Sequence, residues 1–219
     1  MKTIVFDLDG TLLDSAPDIR ATANTVLARR GIGPLTLEQT RGFIGSGARV
    51  FVERMADATG LDPAPRNIDT LEAEFIAIYE HAHDLTRVFP AVEVALEELR
   101  HAGWALGLCT NKPMGPARSV LAHFGLDQYF RAVVGGDTLA VRKPDPAPLR
   151  HVLRELGSDR AVYVGDSEVD AATAQAASLP FALFTEGYRH SPLEAIPHAA
   201  TFSDFNTLPA LAEDLLARS

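Results

Sequence analysis

One cysteine, Cys109, is all the thiol this 219-residue chain carries, which excludes an internal disulfide and suits a reducing, cytoplasmic setting. No apolar run approaches the roughly 20 residues needed to cross a bilayer, so no membrane partner is expected. The first residues lack the basic, apolar and small-residue succession of a secretory leader, and none is expected. Positive charge is scarce too: 20 Lys and Arg stand against 29 Asp and Glu, a net charge of −9 without any basic block. Phosphate-backbone contacts need a basic surface, so nucleic acid is not an expected partner. There are no repeats and no low-complexity tracts. What is present, 47% hydrophobic and 22% charged residues, is enough to bury the core of one domain, or of one domain with an insert.

Five short apolar runs read as buried strands: residues 3–6, 104–109, 132–134, 161–164 and 181–184. Most lack polar alternation, as parallel strands covered on both faces do. Helical patterns over 92–101, 115–124, 147–156 and 169–177 separate them, and this alternation predicts a doubly wound, mainly parallel α/β sheet. Residues from about 15 to 83 break the rhythm, with helical patterns only, over 17–29, 36–43, 48–59 and 68–81. The run Ser15-Ala16-Pro17-Asp18 is a helix start, with a capping hydroxyl, an early proline and an acid near the positive end of the dipole. The expected organisation is an α/β core of residues 1–14 and 85–219, with a helical insert over 15–84 after the first strand.

The first strand runs directly into Asp7-Leu8-Asp9-Gly10-Thr11. Carboxylates two residues apart point to opposite faces of a strand and meet only where the backbone curls, which Gly10 permits. Once together they require a cation, or one must hold a proton. Ligands of parallel α/β sheets bind outside the carboxyl ends of the strands. Here those ends carry Asp7 and Asp9, then Thr110-Asn111-Lys112, then Lys143-Pro144-Asp145-Pro146 after the third strand, then Gly165-Asp166-Ser167 with Asp170 four residues on. One rim thus gathers up to four carboxylates, a hydroxyl and an ammonium. Oxygen ligands of this kind suit Mg²⁺. A transferring phosphoryl group needs that ion, hydrogen-bond donors and positive charge.

With these residues in order along the whole chain, the sequence resembles the haloacid dehalogenase superfamily. The resemblance rests on Asp7-Leu-Asp-Gly-Thr11, Thr110-Asn111, Lys143-Pro144-Asp145-Pro146 and Gly165-Asp166-Ser-Glu-Val-Asp170. It implies a Rossmann-like core with an inserted all-helical type 1 cap. The second acid, Asp9, points to the phosphatase and phosphomutase branches. Together with Phe43-Ile-Gly-Ser-Gly-Ala48 and Cys109-Thr-Asn-Lys-Pro113, the pattern looks most like the bacterial phosphoglycolate phosphatases. That likeness implies a small phosphorylated metabolite as partner, Mg²⁺ as cofactor, and a monomer or homodimer. It implies Asp7 as nucleophile forming an aspartyl-phosphate, and Asp9 as general acid and base. Thr110, the Asn111 amide and Lys143 would bind the phosphoryl group. The Asp7 and Asp166 carboxylates and the Asp9 carbonyl would hold the metal. Asp170 is either a further metal residue or the group that orients Lys143.

Each residue also has a plainer reading. Asp166 could cap a helix, and Lys143 could be a solvated loop lysine. Lys112 is expected at the periphery, Cys109 in the core, and His81 and His83 in solvent. Gly45-Ser46-Gly47 lacks the strand and third glycine of a dinucleotide loop, and is either a flexible loop touching substrate or a helix start with Ser46 as N-cap. Arg49 could meet a substrate carboxylate or be an ordinary surface arginine. Phe51, Val52 and Met55 are expected in the helical core. Within the superfamily, a sugar phosphomutase or a pyrophosphatase is the alternative. Outside it, a phospho-signalling receiver also gathers acids, a threonine and a lysine on an α/β rim. Its acceptor follows its acid pair on a later strand, however, and it carries no helical insert.

Overall fold

The computed structural model describes residues 2–218. The chain begins with β1 (Thr3–Phe6), makes a two-residue strand β2 (Leu13–Asp14), and passes through four helices, α1 (Ala16–Ala28), α2 (Leu37–Phe43), α3 (Ala48–Thr59) and α4 (Pro65–Tyr79). It returns through β3 (Arg87–Val88), which pairs antiparallel with β2. Alternation then follows: α5 (Val92–His101), β4 (Ala105–Cys109), α6 (Met114–His123), β5 (Ala132–Val134), α7 (Ala147–Leu156), β6 (Val162–Gly165), α8 (Glu168–Ala177), β7 (Phe181–Phe184), β8 (Ala200–Phe202) and α9 (Leu208–Arg218).

The main sheet has six strands in the order β5-β4-β1-β6-β7-β8, every pair parallel. Both faces are covered, which is why the strands carry apolar residues at successive positions. Ile4 and Phe6 of β1, Val162 and Val164 of β6, and Phe184 of β7 join one core with α5, α6 and α9. Val5, Tyr163 and Leu183 point the other way, into a second core with α7 and α8. Each such side chain, fully buried, contributes roughly 1.5–3 kcal/mol. α1 to α4 close a third core of their own, built from Val26, Phe51, Met55, Leu71 and Phe75 among others.

The differences from the sequence reading are local. α4 begins at Pro65, three residues before the apolar periodicity that marks it, because proline is well placed in a helix's first turn. Ser15 stands at the N-cap of α1, but its hydroxyl does not cap the helix; it donates to Asp9 instead, at 2.6 Å. The β2–β3 ribbon, edge strand β8 and helix α9 go beyond the reading. Two-residue strands leave no periodicity, and β8 is buried only at Phe202.

Candidate active site

β1, β4 and β6 are neighbours, so their carboxyl ends deliver Asp7, Thr110 and Asp166 to one rim. The ladder continues into the site: the Asp7 N–H donates to the Val164 carbonyl at 2.9 Å, and the Thr110 N–H to that of Val134 at 3.0 Å. Past Asp7 the chain curls tightly, with the Leu8 carbonyl accepting from the N–H groups of Thr11, Leu12 and Leu13. Gly10 sits in this curl at φ +85°, and a Cβ there would lie 2.4 Å from Asp166 Oδ2. No other residue fits.

Asp7, Asp166 and Asp170 are buried and offer carboxylate oxygens that all lie within 4.8 Å of one another. Against these three acids stands Lys143, whose Nζ lies 2.7 Å from Asp170 Oδ1 and 2.9 Å from Asp7 Oδ1. The Asp7 contact is an ion pair without good hydrogen-bond alignment, so this buried oxygen accepts no hydrogen bond. Burial works against charge on Asp170, yet Lys143, Ser167 and Tyr163 hold its carboxyl below the usual range. Burial likewise opposes charge on Lys143, and Asp170 and Asp7 outweigh it, raising the ammonium. Asp7 is pushed up to about 6, by burial first, with Lys143 acting in the opposite sense. Asp166 goes well above its ordinary value, by burial and then by repulsion from Asp170 and Asp7. Among the described residues, its oxygens receive the Thr11 hydroxyl at 2.8 Å and the Tyr188 N–H at 2.6 Å. Three buried carboxylates with one ammonium leave uncompensated negative charge, and hard oxygen donors in that state fit a divalent cation.

Asp170 has no capacity to spare. Oδ1 takes Lys143 and the Tyr163 hydroxyl, while Oδ2 takes the Ser167 hydroxyl and the N–H groups of Asp166 and Ser167. It thereby closes a capping box on α8 with Ser167, not Asp166, as the cap. Asp9 Oδ1 accepts from Ser15 Oγ and from Lys112 Nζ, the latter at 2.9 Å. Lys112 is therefore not peripheral: its side chain is 3% exposed and its ammonium also contacts the Tyr79 hydroxyl on α4. The position right after a strand-end Thr-Asn was the available signal for it.

The Asn111 amide, which the resemblance directs at the phosphoryl group, is engaged otherwise. Its Oδ1 accepts from the Lys143 N–H at 3.0 Å, and its Nδ2 donates to the carbonyls of Lys143 at 3.0 Å and Gly45 at 2.9 Å. Asn111 thus fixes the lysine loop and ties it to the α2–α3 loop. Gly45 and Gly47 line a cavity with Asp7, Asp9, Thr110 and Lys112, whereas Ser46 does not, and the N-cap of α3 is Gly47. Arg49 does not line it either. It lies in an ion-pair cluster with Glu53, Asp69 and Glu72, and those three acids account for its raised pKa. Cys109 is buried and its thiol pushed up to about 12 by that burial, which suits a core residue. His81 is exposed, but His83 is half-buried, with Nε2 2.9 Å from Ser119 Oγ. Thr11, Tyr163, Ser167 and Tyr188 complete the site's hydrogen bonding; as hydroxyls inside or beside apolar strands they carry little signal in sequence.

A parallel α/β core with strand-end acids facing a helical layer is the class of the haloacid dehalogenase-like hydrolases. That family's model matches residues 4–184, and the chain belongs to the family. It is 51% identical over 218 residues to a phosphoglycolate phosphatase of Cereibacter sphaeroides, covering 99% of this chain and 100% of the relative. Among solved structures, a predicted phosphoglycolate phosphatase of Haemophilus somnus 129PT superposes with a TM-score of 0.90 at 29% identity, over 96% of this chain and 97% of that one. CbbY of Rhodobacter sphaeroides, solved in complex with phosphate, superposes at 0.78 with 25% identity, over 95% of this chain and 96% of the other.

Proposed function

We propose that the chain is a Mg²⁺-dependent phosphatase of small phosphate monoesters, with 2-phosphoglycolate as its preferred substrate. The observation that carries this reading is the buried triad Asp7, Asp166 and Asp170 with Lys143 bridging two of its members. The near-full-length likeness to a phosphoglycolate phosphatase supports the choice of substrate.

In this reading Asp7 attacks phosphorus and becomes an aspartyl-phosphate, which water then hydrolyses. Lys143, fixed by Asp170 and by the Asn111 clamp on its backbone, holds charge against the phosphoryl oxygens. Thr110 donates its hydroxyl to the same group. Asp9 gives a proton to the leaving oxygen and later takes one from water; Ser15 and Lys112 both act on Oδ1, so neither holds Oδ2. The Asp7 and Asp166 carboxylates and the Asp9 carbonyl would hold Mg²⁺, and Asp170, whose acceptors are filled, positions Lys143. When bound, the ion neutralises the carboxylates and polarises the phosphoryl oxygens. Residues 15–84 act as a cap over the core of 1–14 and 85–219, and the Gly45 and Gly47 backbone closes one wall of the cavity.

Phosphate release from 2-phosphoglycolate, sugar phosphates, pyrophosphate and nucleotides, with Mg²⁺ and with chelator, tests the reading. It predicts metal-dependent release, highest on 2-phosphoglycolate; absence of release from any monoester overturns it.

A further inference from the structure

The cavity at the strand tips measures about 470 Å³ including its mouth. Its core side presents Asp7, Asp9 and Thr110, while the helical side presents Ile19, Phe51 and Phe75, with Tyr79 adding a hydroxyl. Among the described residues that line it, Lys112 is the one cationic side chain. The other cations nearby are placed differently: Lys143 is held by Asp7 and Asp170 at the phosphoryl end, Arg49 by three acids outside the cavity, and Arg142 lies against Gly47 without lining the cavity.

Lys112 is buried with its charge, an arrangement that costs free energy unless the charge is paired, and here Asp9 and the Tyr79 hydroxyl pair it. Burial lowers its pKa, with Asp9 opposing. Its Nζ sits between Asp9 Oδ1 and the Tyr79 hydroxyl and 4.0 Å from the centroid of the Tyr79 ring. An ammonium has three N–H donors, and these two oxygens account for two of them. Asp9 Oδ1 keeps its bond from Ser15 at 2.6 Å if the lysine turns away. Burial keeps the Tyr79 hydroxyl protonated, and therefore a donor.

We propose that Lys112 and the Tyr79 hydroxyl form the subsite for a carboxylate at the end of the substrate remote from the phosphoryl group. The proposal rests on the phosphatase reading above and deepens it. A substrate with a phosphoryl group at one end and a carboxylate at the other brings a second anion into a cavity whose helical wall is otherwise apolar, and Lys112 is the cation there to receive it. On binding, the ammonium moves from Asp9 to the substrate carboxylate. The site selects short substrates, because Lys112 and the phosphoryl-binding Thr110 line the same small cavity. Tyr79 belongs to α4 and Lys112 follows β4, so the carboxylate also draws the helical layer onto the core.

The test compares two non-hydrolysable ligands by calorimetry in Mg²⁺-loaded protein: 3-phosphonopropionate, which carries the carboxylate, and propylphosphonate, which replaces it with a methyl group. The wild type should bind the first at least ~10-fold more tightly, as a charge-assisted hydrogen bond in a buried site provides. Lys112→Met should erase that difference, and Lys112→Arg should retain most of it. In kinetics, Lys112→Met should lose ~30-fold more kcat/KM on 2-phosphoglycolate than on 2-hydroxyethyl phosphate. Tyr79→Phe, which keeps the ring, should weaken 3-phosphonopropionate by several-fold and spare propylphosphonate, and it serves if Lys112→Met does not fold. Equal wild-type affinity for the two ligands, or equal kinetic loss on the two esters, overturns the subsite. If wild-type protein releases phosphate from neither ester, it is the phosphatase reading that fails.

Discussion

Asp18 and Thr86 are joined twice: one carboxylate oxygen of Asp18 accepts the Thr86 N–H at 2.6 Å and its hydroxyl at 2.7 Å. The same oxygen accepts the Leu85 N–H at 3.0 Å. Asp18 lies in the first turn of α1, where the chain leaves the sheet, and Thr86 immediately precedes β3, where it returns. Both are buried. Asp18→Ala strands two backbone donors and a hydroxyl, and should cost ~2–4 kcal/mol of stability. Asp18→Asn keeps an acceptor and should cost less. Urea unfolding measures both, and an unchanged midpoint for Asp18→Ala contradicts this role.

Asp7→Asn keeps the shape of the side chain and removes its nucleophilic charge. Turnover should fall by roughly 10⁴-fold or more, as loss of a covalent nucleophile does. Near-normal rates in clean protein are incompatible with the mechanism.

The same residue sets a pH dependence in metal-free protein. Its folded pKa, about 6, stands above the ordinary 3.8. The folded state therefore binds this proton more tightly than the unfolded chain, and stability present below pH ~4 is lost as pH rises through 6. Buried Asp166 acts in the same sense. Asp170 is shifted the other way, so its contribution is lost only at pH below its ordinary value. The melting temperature of chelated protein should fall between pH 4 and 6. Asp7→Asn should flatten that fall and melt higher at neutral pH. A wild-type curve that rises across this window speaks against the charge balance described for the site.

Asp166 and Asp170 should separate by the parameter they change. Asp166→Ala removes a carboxylate assigned to the metal and should raise the Mg²⁺ concentration for half-maximal activity by ~10-fold or more. Asp170→Asn leaves Lys143 without its closer anion, and should lower kcat with a smaller change in metal requirement. A Mg²⁺ titration of both variants decides, and equal shifts would merge the two roles.

Gly47 adopts φ +89°, and a Cβ there would lie 3.2 Å from the Asn111 carbonyl and 2.9 Å from Arg142 Nη1. Gly47→Leu should displace this loop from the cavity. The loss on 2-phosphoglycolate should exceed that on an aryl phosphate, whose good leaving group makes it less dependent on closure. Equal losses would mean the loop serves folding alone.

The sheet was legible because its strands are buried on both faces: short continuous apolar runs such as Thr3–Phe6 and Phe181–Phe184, alternating with helical patterns, are the mark of such strands. The site was legible because Asp7, Asp9, Thr110 and Asp166 stand at the ends of those runs, with Lys143 in the loop that follows the third. What escaped depends on distance in the chain. Lys112 reads as an ordinary polar residue until Tyr79, 33 positions earlier, folds over it. Tyr188 gains its place only by donating its N–H to Asp166 and its hydroxyl to Asp14, 174 positions away. Arg49 misleads for the same reason: its acids Asp69 and Glu72 lie on the next helix, α4. Asn111 sits where a phosphoryl ligand is anticipated, but its amide matches a backbone N–H and C=O of Lys143 that no pattern reveals.

The most direct test of the central claim is hydride trapping during turnover. Wild-type protein consuming 2-phosphoglycolate with Mg²⁺ is treated with borohydride, which reduces an acyl phosphate to an alcohol, and the peptides carrying residues 7 and 9 and residue 166 are sequenced by mass spectrometry. The account predicts that Asp7 alone is recovered as homoserine, and only when both substrate and metal are present. Reduction at Asp9 or Asp166, or reduction at Asp7 that persists in chelator, contradicts it.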